Sequence, residues 1–418
     1  MGLAALTTLP LAGCHGGAAS STPATGGGSG TAVAAPPKPA GPPPLPPLPE
    51  GGVRAIYLTG WSAGTKRFDS LVALVDRTEL NAMVIDAKDD GNIYFETNIP
   101  LAKATPGVQT HAYKPEKVLP VLEQHHIYAI ARIACFRDTP MAKAHPEMAV
   151  QDAQGRVWHD KSGHAWLNPF NKATWDYNID IALEAIKYGF KEIQFDYVRF
   201  PSEGNINALH YPGKKEGDLR KDQISAFLKY AKEKFRAQGV YFSADVFGLT
   251  SKANAKNPDM GIGQTRTNVA EQVDFLSPMV YPSHYAYHEY GMADPNKEPY
   301  KTITLSVGDA QKNLKEVPTC QLRPWIQDFN LRGVTYGPKE VRAQIKALHD
   351  LGINGFLLWN ARNVYTEAAL EKKNKNTADA PAEPTVSTSE TQEAPPAKSG
   401  AKKKTTPPAK SGAASKGE

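Results

Sequence analysis

The 418 residues carry 48 Lys and Arg against 43 Asp and Glu, a formal charge of +5, and 41% of them are hydrophobic. A chain of this length and composition buries a full-sized core, which excludes a short peptide or a wholly disordered regulator. The surplus charge sits mainly at the end, since residues 371–418 hold 9 Lys against 6 acidic residues, and the near-neutral middle lacks the basic footprint of a nucleic-acid binder.

Residues 1–14, MGLAALTTLPLAGC, form a short apolar run that resembles the lipobox of bacterial lipoprotein signal peptides, closing on Leu11, Ala12, Gly13 and Cys14. The resemblance implies cleavage before Cys14, lipidation of its thiol and a cell-envelope location, periplasmic or on the outer surface, in which the lipid is the membrane attachment. The alternative is an unmodified Cys in a flexible N-terminus. Residues 15–52 read as a linker, because the first 52 residues contain 11 Gly and 11 Pro. It is flexible where Gly and Ser dominate and polyproline-like from Pro42 to Pro49. Residues 371–418, rich in Lys, Pro, Ala, Ser and Thr, read as a disordered tail. The folded domain is thus expected over residues 53–370.

Within it, eight β-rich runs alternate with helical patterns. The runs are Arg54 to Leu58, Ala82 to Ala87, Tyr128 to Phe136, Glu192 to Val198, Tyr241 to Phe247, Phe275 to Tyr281, Arg323 to Phe329 and Gly355 to Asn360. Segments such as Phe68 to Leu80, Ala173 to Tyr188 and Pro338 to Leu351 have helical periodicity. Eight strand and helix units predict an α/β (β/α)8 TIM barrel with right-handed crossovers. The rival, an open doubly wound sheet, lacks a Gly-x-Gly-x-x-Gly turn after any strand.

Alternation along the strands sorts their side chains. With Ile193 and Phe195 against the helices, Gln194 and Asp196 face the interior, and the same parity places Asp86, Lys88, Ser243 and Asp245 inside, while Arg132 must point inward because its charge against the helix layer would be unpaired. Cys135 then points outward, and Cys320 precedes the seventh strand at the other end, so no disulfide is expected. Neither Cys has zinc-ligand spacing, and no metal or cofactor is called for.

Active sites of this fold lie at the C-terminal strand ends. The residues there include Trp61, Asp86, Lys88, Arg132, Asp196, Arg199, Asp245, Tyr281, His284, Trp325, Gln327, Asp328, Trp359 and Asn360. Aromatic faces, amides, guanidiniums and paired carboxyls suit a carbohydrate substrate. Asp196 and Asp245 are the expected catalytic pair, Asp196 as nucleophile or base and Asp245 as general acid, with Asp328 in reserve. The other twelve are expected to contact substrate, although Asp86 with Lys88 reads equally as an inner ion pair. The long loop from Arg137 to Asn171 reads as a cleft wall bearing Trp158, His164, Trp166 and Asn168.

Five ordered stretches, Phe195 to Pro201, Ser243 to Gly248, Ser277 to Tyr285, Pro324 to Phe329 and Trp359 to Ala361, resemble the bacterial putative glycosyl hydrolase domain, related to α-amylase-type barrels. The resemblance spans about residues 52–366. It implies a glycoside-hydrolase-like barrel and matches Asp196 to the strand-four nucleophile of the α-amylase group. The Glu that serves there as acid after strand five is replaced here by Asp245.

Three functions follow. The first is a lipid-anchored glycosidase acting on an extracellular or cell-wall polysaccharide. The second is a non-catalytic carbohydrate-binding scaffold, kept open by Asp245 in place of Glu. A metal-dependent barrel enzyme is third, and Arg132 and Lys88 in the inward set oppose it. The oligomeric state is not encoded in any of these features.

Overall fold

The computed structural model describes residues 41–373, so Cys14, the linker up to residue 40 and the tail from residue 374 lie outside it. Among the described residues, eight strands form one closed parallel sheet. They are β1 Arg54–Leu58, β2 Ala82–Asp89, β3 Tyr128–Ala134, β4 Glu192–Asp196, β5 Tyr241–Phe247, β6 Phe275–Met279, β7 Trp325–Gln327 and β8 Phe356–Trp359. Sequential strands pair in parallel, and Ala55 of β1 lies opposite both Ala82 of β2 and Leu357 of β8, which closes the barrel. This is the expected (β/α)8 architecture.

Six long helices cover the sheet: α1 Lys66–Arg77, α2 Pro115–Gln124, α3 Lys172–Tyr188, α4 Arg220–Arg236, α5 Pro299–Leu314 and α6 Pro338–Asp350. Their starts are written in the sequence. Thr65 and Asn171 cap α1 and α3 through their side chains, and Pro opens α2, α5 and α6, where a missing N–H costs nothing. The β5 to β6 crossover departs from the pattern. It has only 3-10 turns, at Gly248–Lys252 and Ala270–Gln272.

Two apolar layers result from the strand alternation. Ile56 and Leu58 join the layer between sheet and helices, whereas Ala55 and Tyr57 belong to the inner cluster with Val84, Ile130, Trp325 and Leu357. Phe195 anchors the outer face of β4, stacked on Phe227 of α4 at 5.4 Å and edge-on to Phe242 at 5.0 Å. Such a fully buried ring is worth about 3–5 kcal/mol against Ala. Its outward packing is what turns Gln194 and Asp196 into the barrel. Cys135 lies in the outer layer, and both it and Cys320 are buried free thiols.

Three boundaries differ from the sequence reading. The seventh strand does not run unbroken from Arg323 to Phe329; Pro324, with no N–H to donate, splits it into Gln321–Leu322 and β7. The end of the expected linker packs on the domain. Leu48 lies against the inner cluster, and Gly239, at φ 69°, has the Pro43 carbonyl where a Cβ would meet it at 2.9 Å. Residues 371–373, at the start of the expected tail, pair with the domain, where Glu79 N donates to Glu371 O at 2.7 Å and Lys373 N to Arg77 O at 3.2 Å.

Candidate active site

A cavity of about 570 Å³ opens at the C-terminal strand ends, with Arg132, Asp196 and Asp245 in its lining together with Tyr281, Trp325 and Trp359. A larger hollow of about 820 Å³ lies at the opposite end, around Leu48, Leu322 and Arg323, and its lining includes no acidic residue. The carboxylates and the fold's usual site coincide in the first.

Asp196 ends β4 beside Arg132 of β3. Arg132 Nε and Nη2 donate to Asp196 Oδ2 at 3.1 and 2.6 Å, and the Tyr197 amide donates to Oδ1 at 2.6 Å. Tyr197 reaches that position through a left-handed backbone, φ 49°, uncommon for a side chain of this size. Each group that the described residues bring to the Asp196 oxygens is a donor, matching a carboxylate's role as hydrogen-bond acceptor.

Arg132 is shared. Its Nη1 donates to Asp86 Oδ1 at 2.6 Å and reaches Asp89 Oδ1 at 3.3 Å, while the Tyr57 and Trp359 rings lie 5.5 and 5.4 Å from its guanidinium carbon. Tyr57 stacks on Trp359 with centroids 4.1 Å apart and donates its hydroxyl to Asp86 at 2.5 Å. Burial pushes the Asp86 carboxyl up to about 7, against the pull of Arg132. Burial likewise raises the Tyr57 phenol.

Asp245, in the middle of β5, sits in a different environment. Trp325 Nε1 and Gln194 Nε2 donate to its Oδ1 at 2.7 and 2.8 Å. Among the described residues it has no ion pair within 4.0 Å, and it is only 2% exposed. Burial, then the neighbouring Asp196 charge, pushes its carboxyl well above the usual range. Two carboxyls from neighbouring strands thus line one cavity in opposed environments, one held by a guanidinium and one buried with neutral donors alone.

Around them stand Tyr281, His284 and Arg199. His284 shares a 3.2 Å contact with Ser283 Oγ and packs edge-on to Tyr281, and burial with Arg332 lowers its pKa, favouring neutral imidazole. Arg199 does not pair with Asp196 as a charge partner. Its Nη1 donates to the Phe200 carbonyl and to Ser202 Oγ, both at 3.1 Å.

Five expected contact residues lie elsewhere. Lys88 is not interior: a register shift between Asp86 and Lys88 reverses the parity, and its Nζ meets Asp138 Oδ2 at 2.8 Å and Asn178 Oδ1 at 3.0 Å in the helix layer. It forms no inner pair with Asp86. Asp138 comes that close beside Gly91, φ 80°, where a Cβ would lie 2.2 Å from Asp138 Oδ1. Asp328 binds Thr366 through both oxygens, at 2.8 and 2.6 Å, which removes it as the reserve carboxylate. Asn360 Nδ2 holds the Asp328 and Val364 carbonyls and its Oδ1 the Arg362 amide, and Gln327 braces Ser283 N and Phe329 O. These three side chains serve the loops. Trp61 is 38% exposed, edge-on to Tyr94 and outside the cavity lining.

Of the long loop, Trp166 and His164 line a smaller hollow of about 90 Å³ that shares Tyr197, Arg199 and Glu203 with the main cavity. Asn168 is structural, donating to the Pro212 carbonyl at 2.8 Å, and Trp158 is buried in the outer layer. Tyr57, Tyr197, Glu203 and Phe247 were missed as site residues. Inward parity beside Ala55 identifies Tyr57, and the strand-four motif already contains Tyr197. Glu203 has no sequence signal beyond its place in the following loop.

Residues 55–365 match the family described as "Putative glycosyl hydrolase domain". No curated protein sequence matches the chain. Among solved structures, a hypothetical protein from Ruminiclostridium thermocellum is 40% identical over 46% of this chain and 97% of its own, with a TM-score of 0.42. The PgaB (BpsB) glycoside hydrolase domain from Bordetella bronchiseptica is 14% identical over 75% of this chain and 95% of its own, with a TM-score of 0.54, a likeness of fold. The α-galactosidase TtGalA from Thermus thermophilus, solved with stachyose, is 14% identical over 78% of this chain and 65% of its own, with a TM-score of 0.48. With the match running over most of the described barrel, the chain belongs to this glycosyl hydrolase domain family.

Proposed function

We propose that the barrel cleaves a glycosidic bond of an extracellular or cell-wall polysaccharide, with Asp245 as general acid and Asp196 as nucleophile or base. The observation that carries this reading is the opposed setting of the two carboxyls. Asp245 is dry and pushed up, so it holds a proton for the leaving oxygen. Asp196, oriented by the Arg132 guanidinium, presents its carboxyl to the anomeric carbon or to a water beside it. Tyr281, Trp325 and Trp359 line the cavity with ring surface for a sugar. Cys14 is the proposed lipidation site that would keep the domain at the cell envelope.

The test is a polysaccharide binding and cleavage screen on the full chain and its Asp196→Asn and Asp245→Asn variants. Cleavage by the parent alone supports the assignment. Equal binding by all three with no cleavage by any replaces it with a carbohydrate-binding scaffold. For the anchor, Cys14→Ser should move the protein from the membrane to the soluble fraction, and unchanged partitioning refutes lipidation there.

A further inference from the structure

The two guanidiniums that line the cavity are answered very differently. Arg132 meets Asp86, Asp89 and Asp196 within 3.3 Å. Arg199 is 7% exposed and, among the described residues, has no carboxylate oxygen within 4.0 Å. Only its Nη1 is engaged, by the Phe200 carbonyl and Ser202 Oγ. Among the described residues its Nε and Nη2 have no hydrogen-bond partner, yet neither is among the sealed, unpartnered buried atoms.

The neighbours do not answer that charge. Phe247, Trp166 and Tyr197 surround the guanidinium with ring centroids at 4.5, 4.9 and 5.3 Å. Rings attract a cation through their faces but accept little from its N–H donors. Asp160, which lines the adjoining hollow, is occupied by the Ser162 and His164 amides and by Trp166 Nε1. Glu203 lines both hollows but is exposed. Burial lowers the Arg199 pKa against the opposing pull of Tyr197, Asp196 and Glu203, none of which reaches it as an ion pair. A buried charge without a partner is costly, and a neutral hydroxyl leaves that cost in place.

We propose that the free Nε and Nη2 edge of Arg199 receives a carboxylate of the substrate, so that the glycan is an acidic one carrying uronic-acid-type residues. A planar two-donor edge fits a planar carboxylate. This rests on the glycoside-hydrolase reading for its consequence in turnover, but the binding site stands independently of cleavage.

The test uses polygalacturonate, alginate and hyaluronan, each beside its carboxyl-reduced counterpart, which keeps the sugar backbone and loses the charge. Binding by affinity electrophoresis and reducing-end release are measured for the full chain, Arg199→Gln and Arg199→Lys, with thermal melting as a folding control. The parent should bind at least one acidic polymer tenfold or more tightly than its reduced form, and that preference should weaken with added NaCl. Both variants should cut the preference at least tenfold, Lys included, because it keeps the charge and loses the fork. Binding without cleavage keeps the carboxylate site and defeats the hydrolase reading. Preference for the reduced polymers, binding to no acidic polymer, or equal loss on both forms in folded variants overturns the proposal. Should both variants unfold, a salt-insensitive preference in the parent overturns it, and a salt-sensitive one supports it.

Discussion

Trp325 Nε1 donates to Asp245 Oδ1 at 2.7 Å, so the proposed acid rests on an indole that reaches it from β7, across the intervening β6. That N–H favours the charged form of Asp245 and partly offsets burial. Trp325→Phe should therefore raise the Asp245 pKa and move the alkaline limb of the kcat/KM profile to higher pH, since activity needs the protonated acid. A limb that stays in place or moves down refutes the assignment.

Asp245→Asn keeps the shape of the side chain and removes its proton. Loss of a general acid costs about 10²–10⁴ in rate. The loss should be largest with poor leaving groups and much smaller with p-nitrophenyl glycosides, which depart without protonation. Equal losses on both, read from kcat/KM, would assign Asp245 a structural role.

Arg132→Leu strands Asp86 and Asp196 as buried carboxylates. Breaking one side of such a cluster costs about 3–5 kcal/mol. Denaturant unfolding should show a loss of that order for the variant at pH 7, and a smaller one at low pH, where the Asp86 carboxyl takes up a proton.

Asp86 gives a separate pH signature. Its folded carboxyl is pushed up to about 7, whereas the unfolded one titrates near 4. The folded state therefore binds the proton more tightly, and stability falls as pH rises from about 4 through about 7. Asp86→Asn should flatten that part of the stability curve, and an unchanged slope would show that Asp86 titrates normally.

Asp328→Ala should leave the pH profile of activity unaltered and cost about 1 kcal/mol, because its carboxyl serves only the Thr366 amide and hydroxyl. A lost catalytic limb would restore it as the second carboxylate.

How much of this was legible depended on where alternation holds. Inside unbroken strands it placed Gln194, Asp196 and Asp245 in the interior, and their contacts agree. It failed at Lys88, where a bulge adds one residue and reverses the face, an event with no local sequence mark. Asp328 and Asn360 were named by strand end rather than by alternation, and they lie just past β7 and β8, where loop hydrogen bonding decides orientation. Arg199, three residues beyond Asp196 and past the left-handed Tyr197, lies among rings from the long loop, the end of β4 and the last residue of β5.

The crossover from β5 to β6 has no α-helix, and its residues Gly248, Leu249 and Met260 are part of the cavity wall. Short 3-10 turns bury less and are less cooperative than a packed helix. Amide hydrogen exchange should accordingly be fastest in this sector of the barrel's outer ring, which makes the wall of the cavity on that side its least tightly held.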